Sequence, residues 1–89
     1  MTLTVYSRPG CHLCEEMMAV IARTLDTSNP AVVIQEIDIS KDAELEARYG
    51  QEIPVLLIDG RKVAKYRIGA AELLRAVAGR RHESGGTSC

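Results

Sequence analysis

Two cysteines with two residues between them, Cys11 and Cys14, stand in the segment Ser7-Arg8-Pro9-Gly10-Cys11-His12-Leu13-Cys14-Glu15-Glu16. The apolar run Leu3-Thr4-Val5-Tyr6 precedes them and a helical pattern follows. A thiol at a helix start lies over the free N–H groups of the first turn, where the helix dipole favours an anion. That placement lowers a thiol pKa from about 8.5 toward the roughly 3.5–7.5 range of reactive cysteines. The three-residue spacing puts both sulfurs on one side of the turn. Cys11 is thus the thiol expected to ionise, and Cys14 the one placed to attack any mixed disulfide that Cys11 forms.

Other side chains bear on this chemistry. His12 lies between the cysteines, where an imidazolium would stabilise a Cys11 thiolate and favour the reduced pair; the plainer reading is an exposed polar residue. Arg8, Lys65 and Arg67 are candidates for a positive rim facing an anionic thiol substrate, against the plainer reading of solvated surface charge. The alternative use of the two thiolates is metal binding, because they form half of a zinc or iron–sulfur site. The chain has no second Cys-x-x-Cys, so the remaining ligand candidates are His12, His82 and Cys89. A cluster shared between two chains stays open. A third reading is a redox-inactive adaptor that keeps the same fold.

The elements that must hold the pair follow from periodicity. Leu3-Thr4-Val5-Tyr6 alternates and is rich in strand formers. Ser7-Arg8-Pro9-Gly10 is a turn by composition. A helix is expected over Cys11–Thr27, with Leu13, Met17, Val20, Ile21 and Leu25 on one apolar stripe. Ala31–Ile39 reads as a second strand, covered on both faces at its apolar start. Strand, helix, strand in this order makes a parallel βαβ unit. Ser40 is the expected cap of a short helix over Lys41–Tyr49 that stops at Gly50. Val55-Leu56-Leu57-Ile58 is a third strand, Asp59-Gly60 a two-residue hairpin, and Arg61–Tyr66 an antiparallel edge strand carrying lysines. A last helix is expected over Ala70–Ala78, with Leu73, Leu74 and Val77 on its apolar side and Gly79 ending it. The order is βαβαββα: an α/β fold with a four-stranded mixed sheet flanked by three helices.

The 89 residues are enough for one domain with one modest core, expected over 1–79, with a disordered tail over 80–89. Hydrophobic residues make up 46% and charged residues 26%, as in an ordinary globular domain. A net charge of −1 gives no electrostatic case for nucleic acid or a membrane surface. No apolar run approaches the ~20 residues of a membrane span, and Met1–Tyr6 lacks the features of a signal peptide. The expectation is a cytoplasmic monomer. There, a cysteine pair is catalytic or metal-binding more often than a structural staple, and an odd count of three cysteines argues against a disulfide framework.

Cys-x-x-Cys beside a βαβ pattern points to a thioredoxin-like redox domain. With Cys11-His12-Leu13-Cys14 after the first strand and Ile53-Pro54 opening the third, the chain resembles a short bacterial glutaredoxin-like protein of the thioredoxin superfamily over about residues 2–78. The resemblance implies a thiol–disulfide oxidoreductase with Cys11 as nucleophile and Cys14 as resolving thiol. It implies a cis Pro54 facing them, with Ile53 offering main-chain hydrogen bonds to an extended substrate. Arg8 would meet a glutathione carboxylate. The partners implied are a disulfide-containing protein or a glutathione mixed disulfide, with glutathione or a reductase to reset the pair and no bound cofactor. The segment Tyr66-Arg67-Ile68-Gly69-Ala70-Ala71 departs from the Gly-Gly pair usual in glutaredoxins. The absence of Trp sets the chain apart from thioredoxin proper.

Overall fold

The computed structural model describes residues 1–26 and 28–84, the last five of these through their backbone alone. Four strands and three helices follow in order: β1 (Thr2–Ser7), α1 (His12–Thr24), β2 (Val33–Asp38), α2 (Ala43–Tyr49), β3 (Val55–Ile58), β4 (Arg61–Lys65) and α3 (Ala70–Ser84). The sheet order is β2-β1-β3-β4. β1 and β2 are parallel, with Thr2 opposite Val33 and Ser7 opposite Asp38. β3 runs antiparallel to β1, with Tyr6 opposite Val55. β4 completes the hairpin as an edge strand. The mixed sheet expected from the sequence is the one observed.

Alternation along β1 sorts the two faces. Leu3 and Val5 are fully buried against Met17, Val20 and Ile21 of α1, Leu56 and Ile58 of β3, and Leu73 and Val77 of α3. On the opposite face Tyr6 stacks on Tyr49 of α2, ring centroids 4.7 Å apart. β3 is one of the two interior strands, and all four of its residues are buried, which matches its unbroken apolar run. The Asp59–Gly60 turn has positive φ at both residues, 50° and 85°, the geometry that suits the twist of a two-residue hairpin.

Several expectations need correction. β2 is not covered on both faces: it is a sheet edge, and Val33 is 46% exposed. Its apolar start marks pairing with β1 rather than a second covering layer. The strand also ends at Asp38, where Ile39–Lys41 forms a 3-10 turn capped by the Asp38 carboxylate. Ser40 is not the cap of α2. Asp42 is, its Oδ1 accepting the N–H groups of Glu44 (3.0 Å) and Leu45 (3.2 Å), because the 3-10 turn moves the cap two residues along, from position 40 to 42. α1 ends at Thr24, with Leu25 as its C-cap. Leu74 is 52% exposed; Leu73 and Val77, four apart, take the inner face of α3, and Leu74 is turned about 100° away from Leu73. β4 stops at Lys65, one residue short of Tyr66.

The expected stop at Gly79 does not occur. The helix passes through it to Ser84. A glycine within a helix costs roughly 1 kcal/mol relative to alanine, which lowers stability without forbidding the helix. The remaining tail residues 85–89, Cys89 among them, lie outside the described residues.

Candidate active site

The cysteine motif sits where β1 hands over to α1. The turn is closed by the Cys11 N–H donating to the Arg8 carbonyl at 3.2 Å, and Gly10 takes the positive φ (77°) that Pro9 and Cys11 do not. Cys11 is not the first helical residue. It is the N-cap, with extended backbone, and its Sγ accepts the N–H of Cys14 at 3.1 Å. A cap side chain satisfies one of the N–H groups that a helix start leaves without a partner. Here the acceptor is sulfur, so the backbone donor and the helix dipole both act on the atom that must carry negative charge.

The two cysteines are joined as a disulfide, Cα atoms 5.2 Å apart. Their environments differ. Cys14 is 2% exposed and belongs to the buried side of α1, in line with Met17 and Ile21. Cys11 is half-buried at the rim. An incoming disulfide therefore reaches Cys11 from solvent, while Cys14 approaches it from the protein side.

Ile53 and Pro54 lie at the same end of the sheet. β1 leaves the sheet after Ser7, and Val55 opposite Tyr6 is where β3 enters it. The Ile53–Pro54 peptide bond is cis, as the family resemblance implied, and Pro54 is fully buried. Tyr66 closes this side: its N–H donates to the Pro54 carbonyl at 2.8 Å and its hydroxyl to the Gln51 carbonyl at 3.1 Å.

His12 is engaged with Glu16 at the helix surface. Its Nε2 lies 2.9 Å from Glu16 Oε2, one turn along α1, and its side chain is 80% exposed. Arg8 is also engaged. Its guanidinium pairs with Glu46 of α2 and lies 3.4 Å from the Gly50 carbonyl. The hydrogen bond to Glu46 raises the Arg8 pKa, burial opposes this, and the charges of Glu46 and Asp38 add to it. Gly50 explains the close approach. Its φ is −55°, so the left-handed stop expected of it is absent; a Cβ there would lie 3.1 Å from Arg8 Nη2 and 2.5 Å from the Glu46 carbonyl. Lys65 and Arg67 are exposed, and Lys65 Nζ lies 5.5 Å from the Tyr66 ring.

The structure thus gathers Cys11, Cys14, Arg8, Ile53 and Pro54 at one end of the sheet. Sequence reasoning missed Glu46, Gly50 and the bracing by Tyr66. Arg8 and Glu46 are 38 residues apart, and no local pattern joins them. Among the described residues, no group of three or more His, Cys, Asp or Glu side chains is placed to hold a metal; the side chain of His82 and all of Cys89 fall outside that description.

A Cys-x-x-Cys at a helix start beside a proline-led strand in a four-stranded mixed sheet is the arrangement of a thioredoxin-fold redox protein. The sequence matches the Glutaredoxin-like domain (DUF836) over residues 2–78. It is 31% identical over 72 residues to the Dictyostelium discoideum "Glutaredoxin-like protein YDR286C homolog", covering 76% of this chain and 67% of that one. Among solved structures, XcR50 from X. campestris matches with a TM-score of 0.72 and 31% identity, over 86% of this chain and 96% of that one. The thioredoxin-like protein BC3987 matches with a TM-score of 0.57 and 26% identity, over 85% and 97%. The chain belongs to the glutaredoxin-like domain family of the thioredoxin superfamily.

Proposed function

We propose that the protein is a dithiol oxidoreductase that reduces the disulfide of a protein or a glutathione mixed disulfide. The observation that carries this reading is the asymmetry of the pair: a half-buried Cys11 whose sulfur caps α1, and a Cys14 buried one turn below it. The Cys11 thiolate attacks one sulfur of the substrate disulfide. The old S–S bond breaks, one half leaves as thiolate and takes a proton, and a mixed disulfide forms on Cys11. Cys14 then loses its proton and attacks Cys11 Sγ, expelling the second half. Two electrons have passed to the substrate and the Cys11–Cys14 disulfide remains. Two glutathione molecules, or a dithiol reductase, return it to the reduced state. The substrate segment docks beside Ile53–Pro54. Among the described residues no helix is long and apolar enough to cross a membrane. The proposed chemistry is that of a monomer at work in the reducing cytoplasm.

The test is a redox titration in graded glutathione buffers, read by intact mass after alkylation. The expected result is a two-electron transition confined to Cys11 and Cys14, at about −270 to −200 mV. Cys11→Ser should abolish turnover, and Cys14→Ser should accumulate the mixed disulfide. Full dithiol turnover by Cys11→Ser, or a pair that resists alkylation because it retains metal, overturns the proposal.

A further inference from the structure

Among the described residues, two other than glycine have left-handed backbone, Asp59 and Tyr66. The hairpin requires it of Asp59. Tyr66, whose φ is 70°, is the centre of a three-residue turn closed by the Arg67 N–H on the Lys65 carbonyl at 2.8 Å; that positive-φ turn is rare and strained, and an aromatic residue in it must be held in place by its surroundings. The holding contacts are its N–H on the Pro54 carbonyl and its hydroxyl on the Gln51 carbonyl. Together they span Gln51–Pro54, the segment beside the cysteine turn. The side chain is nevertheless not buried by these contacts: Tyr66 is 44% exposed.

Tyr66 also lines a cavity of about 100 Å³ with Leu13, Met17, Val20 and Ile68, and the charged Glu16 and Arg67 belong to the same lining. Leu13 lies between the two cysteines, so this cavity flanks the thiol motif on the α1 side. An apolar cavity of roughly 150 Å³ takes up benzene. The smaller, half-open one here has room for one branched aliphatic side chain.

We infer that Tyr66 is the positioning and specificity residue of the thiol site, bracing Gln51–Pro54 and walling a pocket for the aliphatic side chain next to the cysteine of an extended, disulfide-bearing peptide. The inference rests on the dithiol reading for its substrate. The left-handed backbone is the means: it turns the chain out of β4 so that one residue reaches both Pro54 and the helix-side cavity.

The experiment compares two peptide disulfides, one with leucine and one with serine next to the cysteine, with hydroxyethyl disulfide as a substrate too small to reach the pocket. The full chain should prefer the leucine peptide about tenfold in kcat/KM, through KM. Tyr66→Phe, which loses the bond to Gln51, should raise KM for both peptides about three- to tenfold, with a smaller loss on hydroxyethyl disulfide. Tyr66→Gly, which suits the backbone angle, should bring the leucine preference within about twofold. Absence of a leucine preference in the unaltered protein, or an equal loss on all three substrates in both variants, overturns the inference. Serine-for-cysteine versions of the peptides, titrated against the oxidised protein, separate the two readings. If no disulfide is turned over, the dithiol reading fails. Leucine-selective binding that depends on Tyr66 then still supports the pocket, and binding without selectivity overturns it.

Discussion

Arg8 and Glu46 pair across the gap between the cysteine turn and α2, and the carbonyl of Gly50 lies against the same guanidinium. Arg8 begins the turn whose last bond is made by Cys11. Fastening its side chain to the C-terminal half of α2 ties the reactive motif to the side of the sheet where Tyr6 and Tyr49 stack. The residue that the family resemblance would offer to a glutathione carboxylate is thus already occupied by a carboxylate of the protein.

That occupancy predicts a gain of function. Glu46→Ala keeps a good helix former in α2 and releases a planar fork of donors suited to carboxylates. KM for a glutathione mixed disulfide should fall about three- to tenfold, as for a modest charged hydrogen bond at an exposed site. Arg8→Ala in the same background should reverse the fall. A KM unchanged by Glu46→Ala would show that Arg8 does not face the substrate in either state.

His12 predicts a small effect. It is 80% exposed and turned toward Glu16, so solvent screens it from Cys11. The alkylation rate of Cys11 against pH should give an inflection below the free-thiol value of about 8.5, set by the Cys14 N–H and the helix start. His12→Ala should move that inflection by less than about half a unit. A rise of a full unit would assign the thiolate to the imidazole instead.

The site was legible where chemistry and spacing coincide, and illegible where it depends on contacts distant in sequence. Cys11-x-x-Cys14 after a strand marked the thiol pair by short-range pattern, whereas the place of Ile53-Pro54 beside it came from the family resemblance. The βαβαββα order followed from periodicity because β3 is apolar throughout and Asp59-Gly60 is a strong hairpin signal. The role of Gly50 could not be read, since a Cβ there would meet the Glu46 carbonyl at 2.5 Å and also the guanidinium of an arginine 42 residues away at 3.1 Å. Tyr66 carries no sequence mark of its positive φ, which goes with a tight turn between Lys65 and Arg67 and with the bond of its N–H to Pro54. Ser40 and Asp42 are both good caps, and the 3-10 turn that chooses between them has no periodicity of its own. Gly79 misled because glycine ends helices often, not always.

Gly79 yields a stability prediction. Its φ is not left-handed, and a Cβ there would meet nothing within 4 Å. Gly79→Ala should therefore stabilise the protein by about 0.4–1 kcal/mol, chiefly by restricting the unfolded chain. The urea midpoint should rise with the slope unchanged. A fall in midpoint would mean that α3 does not continue through this residue in solution.

Two carboxylates predict how the fold responds to acid. Asp38 lies below its ordinary value of 3.8, held there first by the Ser40 hydroxyl at 2.6 Å, with burial opposing and the Ser40 N–H and the charges of Lys41 and Arg8 assisting. Glu52 lies below 4.5, held by its hydrogen bond from Lys62. A carboxyl whose pKa is lower in the folded state binds fewer protons there than in the unfolded chain, so stability rises with pH across this range. The contribution is complete above about pH 5 and is lost as pH falls through the folded values. Both groups are half-buried at the surface and still reached by solvent, so the slope is shallow and weakens in salt. Urea midpoints at pH 7 and pH 3.5 should differ more for the unaltered protein than for the Asp38→Asn, Glu52→Gln double variant. Equal differences would place the acid sensitivity elsewhere, with the Arg8–Glu46 pair the next carboxylate to test.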